Sequence, residues 1–217
     1  MINTDKLNDD KLFQDYYNEM SAYRQKKIMK YKFRKDRNLS LGAGILLDYG
    51  LKQYGLNECN MRYAAGNNDK PYFADRPDIH FNISHSGTMV ICSFSNAEIG
   101  VDIEKITGMD FNIARRFFCT AEYEYIINQT TDMERKEAFF RIWVLKESFM
   151  KMTGLGMSLL IDSFEIILED KITVKHSVND QIYSFKEYKV DEYRIAICST
   201  IAEDEESAKI SFIPGFL

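Results

Sequence analysis

No stretch of this 217-residue chain approaches the roughly 20 consecutive apolar residues of a membrane span. The start, Met1-Ile2-Asn3-Thr4-Asp5-Lys6, lacks the basic opening and apolar run of a secretory signal, so a cytoplasmic location is expected. The cysteines, Cys59, Cys92, Cys119 and Cys198, stand far apart with no CxxC spacing, which suits reduced thiols better than a disulfide frame or a zinc site. No low-complexity linker and no repeat is legible. The net charge of −5 argues against general nucleic-acid binding. What remains, with 45% hydrophobic residues, is a chain able to fill one large core or two smaller ones.

Against that acidic background, positive charge is crowded into one segment: Arg24, Lys26, Lys27, Lys30, Lys32, Arg34, Lys35 and Arg37. Such a run is either a solvated helix face or a local anion site. Residues 9 to 35 read as helical, and Leu41 to Tyr54 carries apolar residues at core-facing helical spacing. Gly66-Asn67-Asn68-Asp69 is a turn signal, and Lys70-Pro71 opens an extended stretch. Ile79 to Ser84, Met89 to Ser95 and Ile99 to Glu104 predict a three-stranded antiparallel meander. Helices are expected at Phe111 to Phe118, Ala121 to Ile127 and Met133 to Met152, the last stopped by Gly154. The final third alternates as strands of a second sheet.

Two constellations carry chemistry. In Gly100-Val101-Asp102-Ile103-Glu104, two carboxylates two residues apart on a strand point to one side, roughly 7 Å apart along the chain. In Trp143-Val144-Leu145-Lys146-Glu147-Ser148-Phe149-Met150-Lys151, a helix sets Glu147 one turn before Lys151, about 6 Å along the axis. Taken alone, the two acids are more often a solvated strand face, and Glu147 with Lys151 an exposed ion pair. Together, three carboxylates could converge on one hard cation. With no histidine or cysteine near them in sequence, magnesium suits the set better than zinc, and manganese could substitute.

These segments, with Phe81-Asn82-Ile83-Ser84-His85-Ser86-Gly87 and Arg116-Phe117-Phe118-Cys119-Thr120-Ala121-Glu122-Tyr123 in the same order, resemble the 4'-phosphopantetheinyl transferases of the longer, monomeric type. The resemblance covers most of the chain. It implies an α+β fold of two similar α/β halves in a pseudo-twofold arrangement. Each half would pack a small, mainly antiparallel sheet against helices, with the active site in the cleft between them. The division falls at 1–98, carrying coenzyme A phosphate-binding elements, and 99–217, carrying the acids and the catalytic helix. The implied reaction transfers the phosphopantetheine of coenzyme A to a serine of an apo acyl or peptidyl carrier protein, leaving adenosine 3',5'-bisphosphate. A catalytically silent binding protein of the same fold, or a metal-dependent coenzyme A hydrolase, is the alternative.

Residue by residue, the resemblance assigns Asp102, Glu104 and Glu147 to the metal and Glu147 also to the role of general base. Lys151, Lys70, Ser84 and His85 are assigned to coenzyme A phosphates, with Arg24, Lys27 and Arg37 as further candidates. Read alone, His85 is a lone histidine after a strand, which is more often a structural hydrogen-bonder than a ligand. Asp69 stands before Lys70-Pro71 where the family commonly has glycine. Phe117, Phe118 and Tyr123 lie where the family presents an apolar surface to the carrier, and core packing is the alternative for the two phenylalanines.

Overall fold

The computed structural model describes residues 1–108, 111–200 and 210–216. The chain forms two compact units, Met1–Asn96 with Lys209–Leu217, and Ala97–Ala208.

The first unit opens with the short strand β1 (Ile2–Asn3), followed by the helices α1 (Asp10–Glu19), α2 (Ala22–Met29) and α3 (Arg34–Lys52). The expected single helix over 9 to 35 is broken twice. Met20 and Ser21 are extended, and the Ser21 hydroxyl then accepts from the Arg24 N–H to cap α2. A second break at residues 30–33 precedes α3, which begins seven residues earlier than Leu41 and runs unbroken to Lys52. A ribbon of β2 (Tyr63–Ala65) and β3 (Pro71–Phe73) follows, and then the hairpin of β4 (His80–Ser86) and β5 (Met89–Ser95). Gly87, at φ +61°, makes the turn of that hairpin.

The sheet of this unit has the order β1-β5-β4. Ile2 pairs with Val90, so the second edge of β5 is occupied by the start of the chain. That overturns the expected meander, because a strand has two edges and both edges of β5 are taken. The C-terminal residues also belong here and not with the second half. Ile213 N–H donates to the Met1 carbonyl at 3.2 Å, Asn3 N–H to the Phe216 carbonyl at 3.3 Å, and Phe216 packs on Tyr16. The core between α3 and the sheet includes Leu41, Ile45, Leu46, Val90 and Ile2.

The second unit opens on β6 (Ile99–Lys105) and continues with α4 (Phe111–Phe117), α5 (Thr120–Ile127) and α6 (Asp132–Thr153). Thr131 and Glu134 cap the start of α6 reciprocally, and Gly154, at φ +69°, ends it in the left-handed conformation foreseen from its type. The strands β7 (Glu165–Leu168) and β8 (Ile172–Lys175) make a separate hairpin, whereas β9 (Ser184–Val190) and β10 (Tyr193–Ser199) join β6 in the order β6-β10-β9. The β6–β10 register runs from Ile99 opposite Ser199 to Lys105 opposite Tyr193.

Helix α6 lies on this sheet and supplies Phe139, Ile142, Leu145, Phe149 and Met152 to one continuous core with Ala196 and Cys198. The only tryptophan, Trp143, is half-buried against the same core, stacked on Phe139. Arg141 ties the helix to β9 by a two-pronged contact with Glu187, with Nε at 2.9 Å from Oε2 and the η nitrogen at 2.5 Å from Oε1.

Candidate active site

Where β6 crosses α6 the two backbones touch. A Cβ built on Gly100 would stand 2.0 Å from the Ser148 carbonyl oxygen and 2.4 Å from the Met152 nitrogen, so no side chain fits there. Strand alternation then puts Asp102 and Glu104 on the same face as Gly100, toward the last turns of α6. Asp102 is buried, and its Oδ1 accepts from Lys151 Nζ at 2.6 Å. Glu147 lies one turn before Lys151. Burial pushes its carboxyl above the ordinary carboxylate range, the negative charge of Asp102 pushes it further, and Lys151 pulls it back. Asp102, Glu147 and Lys151 are therefore brought together; the helical spacing predicts the nearness of Glu147 to Lys151, and the tertiary packing of β6 on α6 adds Asp102. Glu104 is half-buried on the same strand face, opposite Arg194.

The metal reading names Asp102, Glu104 and Glu147. Among the described residues, no three His, Cys, Asp or Glu side chains are gathered so as to hold a metal by themselves. What is present is two neighbouring acids sharing one lysine. That donor set still fits magnesium or manganese, which take hard oxygen ligands and commonly use one or two carboxylates plus phosphate oxygens of a substrate. An all-protein cage does not fit.

Lys146, one residue before Glu147, does something different. Its ammonium is fully buried, 2.8 Å from Glu122 Oε1, and donates to the carbonyls of Phe164 at 2.6 Å and Ile161 at 2.9 Å. Glu122 in turn accepts the N–H of Cys119 at 2.9 Å and that of Ile166 at 2.7 Å. Every proton of Lys146 is used inside the unit, so this lysine holds α5, α6 and β7 together. Sequence reading left it unassigned; its place five residues before Lys151, off the face of that lysine, was the available signal.

In the first unit, Arg24, Lys27, Tyr31, Ser40, Asn82 and His85 are among the residues lining a cavity of about 250 Å³. Gly44 makes room for Arg24 to lie across α3, since a Cβ there would meet the Met20 sulfur at 2.6 Å and the Arg24 Cγ at 3.1 Å. Lys27 loses some of its affinity for a proton, chiefly through burial and then through the charges of Arg24 and Lys30. Of the predicted phosphate residues, Arg24, Lys27 and His85 are thus brought together. Arg37 is not. It lines a separate hollow with Arg34, Phe13 and Met29, and its Nε donates to the Tyr31 carbonyl at 2.9 Å. Arg34 is committed to Asn38, Asp10 and the Leu7 carbonyl. Lys70 is half-buried beside Pro71, which does line the cavity. Ser84 is buried on the face of β4 opposite His85.

The aromatic block also divides. Phe118 is core, stacked on Phe139 with centroids 5.3 Å apart, which removes it from any docking surface. Phe117 is 40% exposed with the Arg116 guanidinium over its ring, and Tyr123 is half-buried against the core.

Two family models match the chain, one to each half. The model of the 4'-phosphopantetheinyl transferase superfamily matches residues 98–198, and that of the 4'-phosphopantetheinyl transferase N-terminal region matches residues 9–96. The chain is 34% identical over 184 residues to the 4'-phosphopantetheinyl transferase Sfp of Bacillus subtilis, covering 83% of this chain and 82% of that protein. It is 32% identical over 183 residues to the 4'-phosphopantetheinyl transferase gsp of Aneurinibacillus migulanus, covering 83% and 76%. Among solved structures, the holo-[acyl-carrier-protein] synthase of Thermotoga maritima gives a TM-score of 0.41 at 17% identity, over 47% of this chain and 61% of that one, a likeness too slight to carry weight. With a relative this similar over most of both chains, the protein belongs to the 4'-phosphopantetheinyl transferase family.

Proposed function

We propose that this chain transfers the 4'-phosphopantetheine group of coenzyme A to a serine hydroxyl of an apo acyl or peptidyl carrier protein, giving holo carrier and adenosine 3',5'-bisphosphate. The observation that carries the reading is the Asp102, Glu147 and Lys151 cluster on β6 and α6, found in a chain with this family membership.

Phosphoryl transfer asks a protein mainly for alignment and charge stabilisation. The carrier serine oxygen forms a new bond to the β-phosphorus of coenzyme A. The bond from that phosphorus to the oxygen bridging toward the α-phosphate breaks, and its electron pair leaves with adenosine 3',5'-bisphosphate. The serine proton goes to Glu147. Burial and the charge of Asp102 make Glu147 a better base than a surface carboxylate, because they raise its affinity for a proton. Lys151, half-exposed beside the acids, offsets charge on the leaving bisphosphate. Arg24, Lys27 and His85 hold nucleotide phosphate in the first-unit cavity, with Lys70 and Ser84 as further contacts. Mg²⁺, or Mn²⁺ in its place, would be held by Asp102 and Glu147, with Glu104 on the same strand face as a third candidate, and would supply Lewis-acid neutralisation of the pyrophosphate.

The carrier is the partner, and the exposed side of α4, with Ile113 and Phe117, is the apolar surface offered to it. We further propose that the enzyme acts as a cytoplasmic monomer with no nucleic-acid or membrane partner; no helix among the described residues is long and apolar enough to cross a membrane.

The test is incubation with coenzyme A, magnesium and a panel of apo carriers, read by intact mass. One phosphopantetheine added per carrier is expected, with bisphosphate release that requires the apo carrier. Release without carrier would point to the hydrolase alternative, and no release with any carrier to a silent binder.

A further inference from the structure

Glu58 lies in the loop between α3 and β2 and is completely buried. Its own N–H donates to Asp48 Oδ1 on α3 at 3.0 Å. Its carboxylate accepts the Ser21 N–H at 2.8 Å, the Ser21 hydroxyl at 2.8 Å and the Tyr63 hydroxyl at 2.7 Å. The Ser21 oxygen in turn receives the Arg24 N–H. One carboxylate thus grips the first turn of α2 and the ring of Tyr63, and Tyr63 lies 5.3 Å from the Arg24 guanidinium carbon.

Arg24 is held with unmet capacity. Its side chain is 4% exposed and its Nε is 3.8 Å from Glu58 Oε1, close enough for charge attraction and too far for a hydrogen bond. That Nε has no hydrogen-bond partner, and neither has the buried Ser40 hydroxyl on the same cavity wall. A buried donor without a partner is costly unless a ligand supplies one. Lys27 adds a second cation whose proton is already disfavoured by burial and by Arg24. Asp36 lines the same cavity, so two cations face one acid there.

We propose that Glu58 is a positioning residue for coenzyme A binding, fixing the first turn of α2 and the Tyr63 ring so that the Arg24 guanidinium faces the cavity. The proposal rests on the reading above that this cavity takes a coenzyme A phosphate. A carboxylate is required at this position because three donors converge on its two oxygens; an amide of the same size has one acceptor oxygen and brings donors of its own. Burial holds the Tyr63 phenol well above its usual titration range, so it remains a donor at working pH.

The experiment measures adenosine 3',5'-bisphosphate and coenzyme A binding by calorimetry to the wild type, Arg24→Gln, Glu58→Gln and the double variant, with steady-state transfer alongside. Each single variant is expected to weaken binding by about tenfold, the factor for roughly 1.4 kcal/mol. The double variant should be no weaker than Arg24→Gln alone, because Glu58 acts through Arg24. The loss should fall on KM for coenzyme A and not on kcat. Independent, multiplying losses, or a loss of thermal stability with binding intact, would overturn the proposal and leave Glu58 a merely structural residue. Should Glu58→Gln fail to fold, Tyr63→Phe replaces it in the same cycle. It removes one donor, and binding should weaken by two- to threefold, coupled to Arg24 in the same way; unchanged binding would overturn the proposal. If the wild type binds neither nucleotide, the reading of the cavity fails and the proposal with it. If the wild type and Glu58→Gln bind equally, only the role of Glu58 fails.

Discussion

Helix α6 carries two acid–lysine pairs within six residues, and they differ in one respect. At Lys146 the ion pair with Glu122 is sealed, with two backbone carbonyls and two backbone N–H groups completing the hydrogen bonds. At Lys151 the pair with Asp102 stands at the edge, the lysine 28% exposed, with a second carboxylate, Glu147, raised in proton affinity beside it. A saturated buried pair has nothing left to offer a substrate and serves the fold. A pair at the edge, with one lysine beside two acids, is within reach of a ligand, as the proposed transfer requires.

Four substitutions probe this contrast, taken from the largest effect to the smallest. Lys146→Met should cost about 3–5 kcal/mol of stability, because it strands the Glu122 carboxylate in the core. Denaturant unfolding measures this, and a loss under 1 kcal/mol would erase the distinction. Glu147→Gln should lower the transfer rate by about a hundredfold or more, the lower range for a lost general base. The same change should make the protein harder to unfold at neutral pH. A carboxyl whose folded pKa is raised stabilises fully only below its unfolded pKa and loses that contribution as pH rises through the folded value. Removing the acid therefore helps at pH 7, and the gain should shrink as pH falls toward 4.5, the unperturbed value. Thermal melts across that range, with no metal or nucleotide added, check the sign.

Lys151→Ala should weaken coenzyme A binding by about 1.5–3 kcal/mol, the scale of a charge-assisted contact. Its stability loss should be smaller than that of Lys146→Met, since solvent reaches this pair. Calorimetry beside a melt decides whether the two lysines differ in kind. Arg37→Ala, in its separate hollow, should change KM for coenzyme A by less than about threefold, consistent with a surface contact worth under 1 kcal/mol. A tenfold rise in KM would return Arg37 to the phosphate site.

The residues of the edge pair were legible because helical and strand periods fix which side chains share a face. Gly100, Asp102 and Glu104 share one by alternation, and Glu147 and Lys151 share one by a single turn. Partner choice was not legible. The alternation in Ile99 to Lys105 is satisfied by any neighbouring strand, and its actual neighbour, β10, is some ninety residues on. Nor could periodicity find the end of α1, because Met20-Ser21-Ala22 carries no glycine or proline to stop a helix. The break comes from Ser21 turning its hydroxyl and N–H to α2 and to Glu58, a contact 37 residues away. The basic run hid the difference between Arg24 and Arg37 for the same reason: composition marks the segment, while Gly44 and the α2–α3 packing choose which cation faces the cavity.

At the crossing of β6 and α6, Gly100 makes the spacing between the acid strand and the base-bearing helix a matter of main chain against main chain. No rotamer can widen or narrow that gap, so the core residues around it can drift in size without detuning the distance between Asp102 and Lys151. The same lock sets an order on change. A descendant or a designed variant that needed a wider seat, for a bulkier acyl-bearing donor or a larger ion, could not obtain it by enlarging side chains, and would first have to replace the one residue that has none.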